Sequence, residues 1–196
     1  MFHLFPPRPP KRPDQPRIFL FDYDGVVADS FETFKNEFLS VCTEMGFDRL
    51  NSTEAFLKLF ENNVLLQLLR SGFPAWRLKQ FGEMFSPRIA EANRRVAPFP
   101  GMPELLTELA AIWPLYIITS NMSASIEEFI ARHRVQGVRG IFGADVEPSK
   151  VKKIRKVRAL HPGHAAFYIG DTKGDMIEGR QAGAITVAAG WGWHSE

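Results

Sequence analysis

The sequence has very little cysteine, since Cys42 is the only one among 196 residues. No disulfide can form within the chain, and we expect a reducing, cytoplasmic location. No stretch approaches the roughly 20 apolar residues that span a bilayer, and the N-terminus has no apolar secretion signal. We therefore expect no membrane partner.

The sequence also has little excess charge of either sign. The formal net charge is +2, and residues 1–17 carry four basic residues against one acid. Because the basic excess belongs to this opening segment, we expect no nucleic-acid partner. Residues 1–16, rich in proline and arginine, are predicted to form a disordered arm. Its PxxP pattern is of the kind that aromatic grooves bind, although a flexible leader is the simpler interpretation.

The apolar patterns predict an α/β fold. Residues 18–21 form an apolar run typical of a strand buried on both faces. Similar runs at 115–118, 166–169 and 184–188 alternate with helical patterns. Strands alternating with helices indicate right-handed βαβ units, so we predict a Rossmann-like parallel sheet with helices on both faces.

Residues 31–96 show helical patterns only. An all-helical block inserted directly after the first strand predicts a cap over a core formed by residues 17–30 and 97–196. The short connections near residues 30 and 97 would act as a hinge. Four helices are predicted in the block: one after Ser30 that ends at Gly46, one opened by the capping pair Asn51 and Glu54 that ends near residue 71, and shorter ones around 75–85 and 87–96.

Polar side chains follow three of the predicted strands, at the point where each strand ends. Because the carboxyl ends of parallel strands meet at one edge of a sheet, where ligands bind, we expect these side chains to share one site. Neighbouring acids repel, so holding two of them in one cleft requires a cation or a shared proton. Each set alone is also compatible with a turn or a helix cap. The three sets are Asp22 with Asp24, Thr119-Ser120-Asn121, and Asp171 with Asp175.

These residues carry a family resemblance. The order of the motifs, from about residue 17 to the end, resembles that of the haloacid dehalogenase-like hydrolases. The helical insertion and the return at residues 99–106 resemble the phosphoglycolate phosphatase branch, which has a helical C1-type cap. The four motifs are Phe21-Asp22-Tyr-Asp24-Gly25, Ile117-Ile-Thr119-Ser-Asn121, Lys150, and Gly170-Asp171-Thr-Lys-Gly-Asp175.

The resemblance implies a division of chemical roles. Asp22 would be the nucleophile that forms an aspartyl-phosphate, and Asp24 would carry the proton to and from the reacting oxygens. Lys150 would neutralise the nucleophile and the transferring group. Because residues 149–158 offer several bases, Lys152 and Lys153 stay open as alternatives for this lysine.

The resemblance also implies a Mg²⁺ cofactor with oxygen ligands. The implied ligands are Asp22, the backbone carbonyl of Asp24, Asp171, and Asp175 directly or through water. The implied phosphate and substrate contacts are Thr119, Ser120, Asn121 and Gly25. Relatives usually continue beyond the loop at residues 190–194, so we expect either a naturally short chain or an incomplete C-terminus.

We therefore predict a Mg²⁺-dependent phosphatase that acts on a small phosphorylated metabolite resembling phosphoglycolate. A phosphomutase on the same scaffold, or a catalytically silent module that binds a partner through the arm, are the alternatives. Either a monomer or a homodimer is compatible with the sequence. Residues of the predicted cap that could meet a polar end of the substrate are Arg49, Asn62, Asn63, Arg70 and Arg77, although each is typical of a solvated helix surface.

Overall fold

The computed structural model describes residues 15–50 and 52–194. The predicted arm therefore lies almost wholly outside the described residues. The five strands of the described residues are β1 (Arg17–Phe21), β2 (Leu115–Ile118), β3 (Val138–Phe142), β4 (Ala165–Gly170) and β5 (Ile185–Ala188). They form one parallel sheet in the order β3-β2-β1-β4-β5, so β1 is central. The predicted Rossmann-like α/β fold is confirmed.

Helices cover both faces of this sheet. Strand β1 alternates, with Phe19 and Phe21 in one apolar cluster and Ile18 and Leu20 in another. The eight α-helices of the described ranges are α1 (Phe31–Glu44), α2 (Thr53–Lys58), α3 (Val64–Arg70), α4 (Leu78–Asn93), α5 (Met102–Ile112), α6 (Ser123–Arg132), α7 (Lys150–Leu160) and α8 (Lys173–Gln181). The first cluster includes buried residues of α5 and α6, and the second includes buried residues of α7. Burial on both sides explains the unbroken apolar run of β1.

The segment between β1 and α5 is helical. Helices α1 to α4 and three short 3₁₀ turns (Asp48–Leu50, Leu59–Glu61 and Ala75–Arg77) make up its regular structure. The four helices and the first two 3₁₀ turns share an aromatic-rich apolar cluster that includes Phe38, Phe56 and Phe81. Trp193, near the end of the chain, packs into this same cluster. The division into a cap and a core, with its predicted boundaries, stays a prediction.

Two helix boundaries differ from the sequence prediction. The helix predicted to run to residue 71 is broken, because Asn62 is extended and the Asn63 side chain caps α3 by accepting a hydrogen bond from the amide of Leu66 (3.2 Å). The predicted cap residue Asn51 lies outside the described residues, and Ser52 caps α2.

The predicted boundary between residues 85 and 87 is absent, because α4 continues through Pro87. Pro87 lies on the exposed side of the helix, so the carbonyl that lacks its N–H partner can bond to water. Phe81 and Ile89, on either side of Pro87, are both buried and hold the two halves of the helix in place. None of the helices in the described residues combines the length and the apolar character needed to cross a membrane.

Candidate active site

The carboxyl ends of β1, β2 and β4 bring the predicted residues to one edge of the sheet. Asp22 follows β1, and its amide donates to the carbonyl of Ile169 in β4 (2.8 Å). Thr119 follows β2, and its amide donates to the carbonyl of Phe142 in β3 (3.1 Å). Asp171 follows β4 directly. The sheet register therefore assembles residues that lie up to 149 positions apart in the chain.

Three buried carboxylates form a cluster at this edge. Asp22, Asp171 and Asp175 each offer an oxygen, and these oxygens all lie within 4.8 Å of one another. One oxygen of Asp171 accepts a hydrogen bond from the amide of Trp193 (2.7 Å). Its other oxygen, Oδ1, is buried and has no hydrogen-bond partner among the described residues. This oxygen set, with one buried acceptor left open, fits a hard divalent cation.

Lys150, the first residue of α7, supplies the positive charge beside this cluster. Its Nζ lies 2.6 Å from Asp22 Oδ2 and 2.6 Å from Asp175 Oδ1. The other two candidate lysines do not contact the three carboxylates of the cluster. Lys152 is exposed, and its Nζ lies 3.9 Å from Glu147 Oε2. Lys153 is buried, and its Nζ donates to the carbonyl of Thr119 (2.5 Å). Of the three, only Lys150 contacts the predicted nucleophile.

The electrostatic balance of the cluster depends on this lysine. Burial raises the pKa of Asp22 well above its usual range, Lys150 opposes the rise, and the charges of Asp175 and Asp171 add to it. Burial also acts to raise the pKa of Asp175, but Lys150 and several hydrogen bonds outweigh it, so that pKa is lowered. Burial, followed by the charge of Asp175, raises the pKa of Asp171 to about 7. Burial acts to lower the pKa of Lys150, yet the two acids that it contacts raise it well above its usual value.

Asp24 lies outside the carboxylate cluster. Its Oδ1 accepts a hydrogen bond from the hydroxyl of Ser30 (2.8 Å). Burial raises the pKa of Asp24 to about 6, although the Ser30 hydroxyl and the charge of Lys150 act to lower it. A carboxyl group that titrates near 6 can both donate and accept a proton at neutral pH, as a general acid and base must.

The residues after β2 are arranged as a turn. The buried hydroxyl oxygen of Thr119 accepts a hydrogen bond from the amide of Asn121 (3.0 Å), and Asn121 Oδ1 accepts one from the amide of Met122 (2.9 Å). Ser120 is exposed and lines the cavity at the site. The turn interpretation of these residues therefore holds, and their predicted phosphate contacts stay predictions.

Gly25 holds the turn after the two acids in a conformation that only glycine adopts easily. Its φ is +75°, and its amide donates to the carbonyl of Ala28 (3.0 Å). A Cβ at this position would lie 2.0 Å from Asp171 Oδ2. The chain can therefore pass this close to the acid cluster only because residue 25 lacks a side chain.

Two residues of the site were not predicted from the sequence. The hydroxyl of buried Tyr168, in β4, donates to Asp175 Oδ1 (2.8 Å). Thr172 caps α8, since its hydroxyl oxygen accepts a hydrogen bond from the amide of Asp175 (3.2 Å). The hydroxyl and the amide of Thr172 in turn donate to Asp175 Oδ2 (2.6 and 3.1 Å). Asp175 is thus a capping residue as well as a member of the cluster. In the sequence pattern, Tyr168 counts as one of the apolar residues of a strand. Nothing but its hydroxyl group could have indicated that it contacts Asp175.

A cavity of about 570 Å³ opens onto these groups. Asp22, Asp24, Lys150 and Asp171 line one part of it, and side chains of α1, α3 and α4 line another part. Among the five candidate polar residues of the helical segment, Asn62 and Asn63 line this cavity. Arg49 and Arg70 instead line a separate cavity, and Arg77 donates to the carbonyl of Met45 (2.6 Å).

Comparison with known proteins identifies the family. Residues 19–189 match the model of the haloacid dehalogenase-like hydrolases. The chain belongs to this family. A phosphoglycolate phosphatase of Synechococcus elongatus is 27% identical over 91% of this chain and 85% of its own length. A phosphoglycolate phosphatase of Pseudomonas savastanoi pv. phaseolicola is 23% identical over 91% of this chain and 71% of its own length.

Among solved structures, a haloacid dehalogenase-like family hydrolase from Streptococcus pneumoniae shares the fold, with a TM-score of 0.75 and 24% identity. That likeness covers 92% of this chain and 88% of the pneumococcal chain. The predicted family, and the predicted hydrolase of phosphatase type, are confirmed.

Proposed function

We propose that this hydrolase removes the phosphoryl group from a small phosphate monoester, with Mg²⁺ as cofactor and an aspartyl-phosphate on Asp22 as intermediate. One observation carries the proposal: Asp22 lies beside Lys150 and Asp171 at a cavity that Asp24 also lines. A nucleophile, a proton carrier and positive charge thus face the same space.

In the first step, a carboxylate oxygen of Asp22 attacks phosphorus, and the bond from phosphorus to the leaving oxygen breaks. Asp24 gives its proton to that oxygen, so the product leaves as an alcohol. Lys150 offsets the negative charge that the substrate brings to a buried carboxylate. Mg²⁺, held by Asp22, Asp171 and the backbone oxygen of Asp24, with Asp175 nearby, would neutralise the phosphoryl oxygens.

In the second step, water attacks the phosphorus of the aspartyl-phosphate, and the bond to Asp22 breaks. Asp24, now ionised, takes the proton from this water. Free phosphate leaves, and both carboxyl groups return to their starting states. The pKa of about 6 for Asp24 supports this alternation, because neither protonation state is strongly disfavoured near neutral pH.

The helical segment at residues 31–96 would act as a cap over a core formed by residues 17–30 and 97–196. Its two connections run side by side, since the amide of Asp29 donates to the carbonyl of Ala97 (2.9 Å) and that of Phe99 donates to Val27 (3.0 Å). This paired crossing supports a hinge. The relatives named phosphoglycolate phosphatase support a small phosphorylated metabolite as substrate, and a cytoplasmic location stays a prediction.

The test is hydrolysis of a panel of phosphorylated metabolites by wild type and by Asp22→Asn, each with Mg²⁺ or a chelator. We expect Asp22→Asn to lower kcat by at least about a thousandfold, since no nucleophile remains. Asp29→Asn is the matched control, because Asp29 is an exposed acid close to Asp22 in the chain but outside the carboxylate cluster. Equal rates for wild type and Asp22→Asn would refute the proposal, and transfer of phosphate to an isomer of the substrate would identify a phosphomutase.

A further inference from the structure

The part of the cavity wall that the helical segment forms is almost wholly apolar. The helical segment contributes nine apolar side chains to it, and partly exposed ones include Phe34, Phe60, Leu78 and Phe85. Leu65 of α3 is 52% exposed and also lines the cavity. Exposed apolar side chains that converge on a catalytic cleft are typical of a surface that binds an apolar ligand.

Charge on this wall is unfavourable for a second anionic group. Among the described residues that line the cavity, the cations are Lys150, which contacts two acids of the site, and exposed Lys152 of the core helix α7. Two further acids, Glu147 and Glu178, line the cavity as well. Among the described residues of the helical segment, the only polar side chains that line the cavity are the neutral amides of residues 62 and 63. A substrate carboxylate placed against the helical segment would lose water and would meet no cation of that segment.

The size of the cavity agrees with this chemistry. Its volume of about 570 Å³ falls within the range of sites that enclose ligands considerably larger than glycolate. A two-carbon acid would leave most of the aromatic wall without a contact. An aryl or alkyl group of six or more carbons would cover it.

We infer that the substrate is a phosphate monoester with an apolar aryl or alkyl leaving group, recognised by the apolar wall of the helical segment. The inference rests on the proposed function, which supplies the phosphate chemistry. It adds that the relatives' acid-bearing substrate, phosphoglycolate, is a poor one for this chain.

The first test is kcat/KM for the n-alkyl phosphates from methyl to hexyl, with 2-phosphoglycolate as the reference. Burial of each added methylene should raise kcat/KM about fourfold until the wall is covered. A rising series whose longest members exceed phosphoglycolate supports the inference. A flat or falling series, or a preference for phosphoglycolate over every alkyl ester, overturns it.

The second test places a cation on the wall. Leu65→Arg should raise kcat/KM for 2-phosphoglycolate about tenfold and lower that for hexyl phosphate. Leu66→Arg is the matched control, because Leu66 is the next residue of α3 and equally exposed, at 52%, but does not line the cavity. Equal effects of the two variants on the ratio of the two substrates would count against the inference, and thermal unfolding checks that both variants are folded.

Binding to the Asp22→Asn variant separates the two hypotheses. If wild type hydrolyses none of these esters, the proposed function fails. Calorimetric titration of Asp22→Asn with the same alkyl phosphates and phosphoglycolate, in the presence of Mg²⁺, still reports their order of affinity. Tighter binding of the longer alkyl phosphates supports the apolar site, whereas tighter binding of phosphoglycolate overturns it.

Discussion

Lys150 Nζ lies 2.6 Å from a carboxylate oxygen of Asp22 and also contacts Asp175, so one ammonium group holds two buried acids. The chain brings this lysine from the start of α7, 128 positions after Asp22. Because burial alone would favour the protonated form of Asp22, this contact helps to keep the proposed nucleophile ionised.

Replacement of Lys150 by glutamine should therefore lower kcat about 10²- to 10³-fold. The pKa of Asp22 should rise further, so the acid limb of the kcat profile should move to higher pH, and part of the activity should return as pH increases. Lys152→Gln removes the same charge from an exposed side chain of the same helix and should leave kcat nearly unchanged. A pH profile of each variant checks this, and a larger loss of kcat in Lys152→Gln would contradict the assignment.

The proton on Asp24 can be tested through Ser30. The Ser30 hydroxyl stabilises the ionised form of Asp24, so Ser30→Ala should raise the pKa of Asp24 above about 6. Because the protonated form acts in the first step, the basic limb of kcat/KM should then move to higher pH. 4-Nitrophenyl phosphate, whose leaving group needs no proton, should show no such limb. An unchanged profile for alkyl esters in Ser30→Ala would argue against Asp24 as the acid.

Much of the core could be predicted from the sequence, because its strands are apolar runs that end in polar residues. Ile18, Leu20 and Phe21 are buried and Phe19 is half-buried, much as the apolar pattern indicates, and Asp22 follows at the strand end. The choice of Lys150 from a run of basic residues also agrees with the geometry, since a side chain at the helix start can reach the strand ends.

The helical segment was predicted less accurately, for physical reasons. Pro87 suggested a boundary, but burial of Phe81 and Ile89 outweighs the loss of one hydrogen bond. The sequence pattern treats Tyr168 as an apolar strand residue. Its hydroxyl donates to Asp175 because the fold places the two residues side by side. The apolar wall of the cavity was also not predicted, because an apolar helix face has the same sequence pattern whether it faces a protein core or a cavity.

Gly25→Ala should strain the backbone and, in addition, displace Asp171 in the carboxylate cluster. The alanine would keep an unfavourable φ of +75° and would bring its Cβ against Asp171. Gly101→Ala is the matched control, because its φ is +77° and no atom lies within 4 Å of its Cβ. Each variant should lose roughly 1 kcal/mol in free energy of unfolding from backbone strain, and Gly25→Ala should lose more.

Only Gly25→Ala should also lose Mg²⁺ affinity, as measured by calorimetry. Equal Mg²⁺ binding by the Gly25 and Gly101 variants would show that the metal does not depend on Asp171.

Buried Lys153 should make stability depend on pH. Burial lowers the pKa of Lys153 to about 8, so the unfolded chain binds more protons than the folded chain between about 8 and 10.5. The free energy of unfolding of wild type, relative to Lys153→Met, should therefore rise across that interval, by up to about 3 kcal/mol. Urea unfolding at pH 7, 8.5 and 10 measures this difference. A difference that stays constant or falls would show that the pKa of Lys153 is not lowered in the folded chain.

The central claim, a phosphoryl group carried on Asp22, is tested most directly by trapping it. Asp24→Asn should complete the first step with 4-nitrophenyl phosphate but lack the base for the second step. After acid quenching of a reaction with ³²P-labelled ester, peptide mapping should find about one phosphoryl group per chain, bound to Asp22. The absence of labelled protein, or a label on any other residue, would contradict the mechanism.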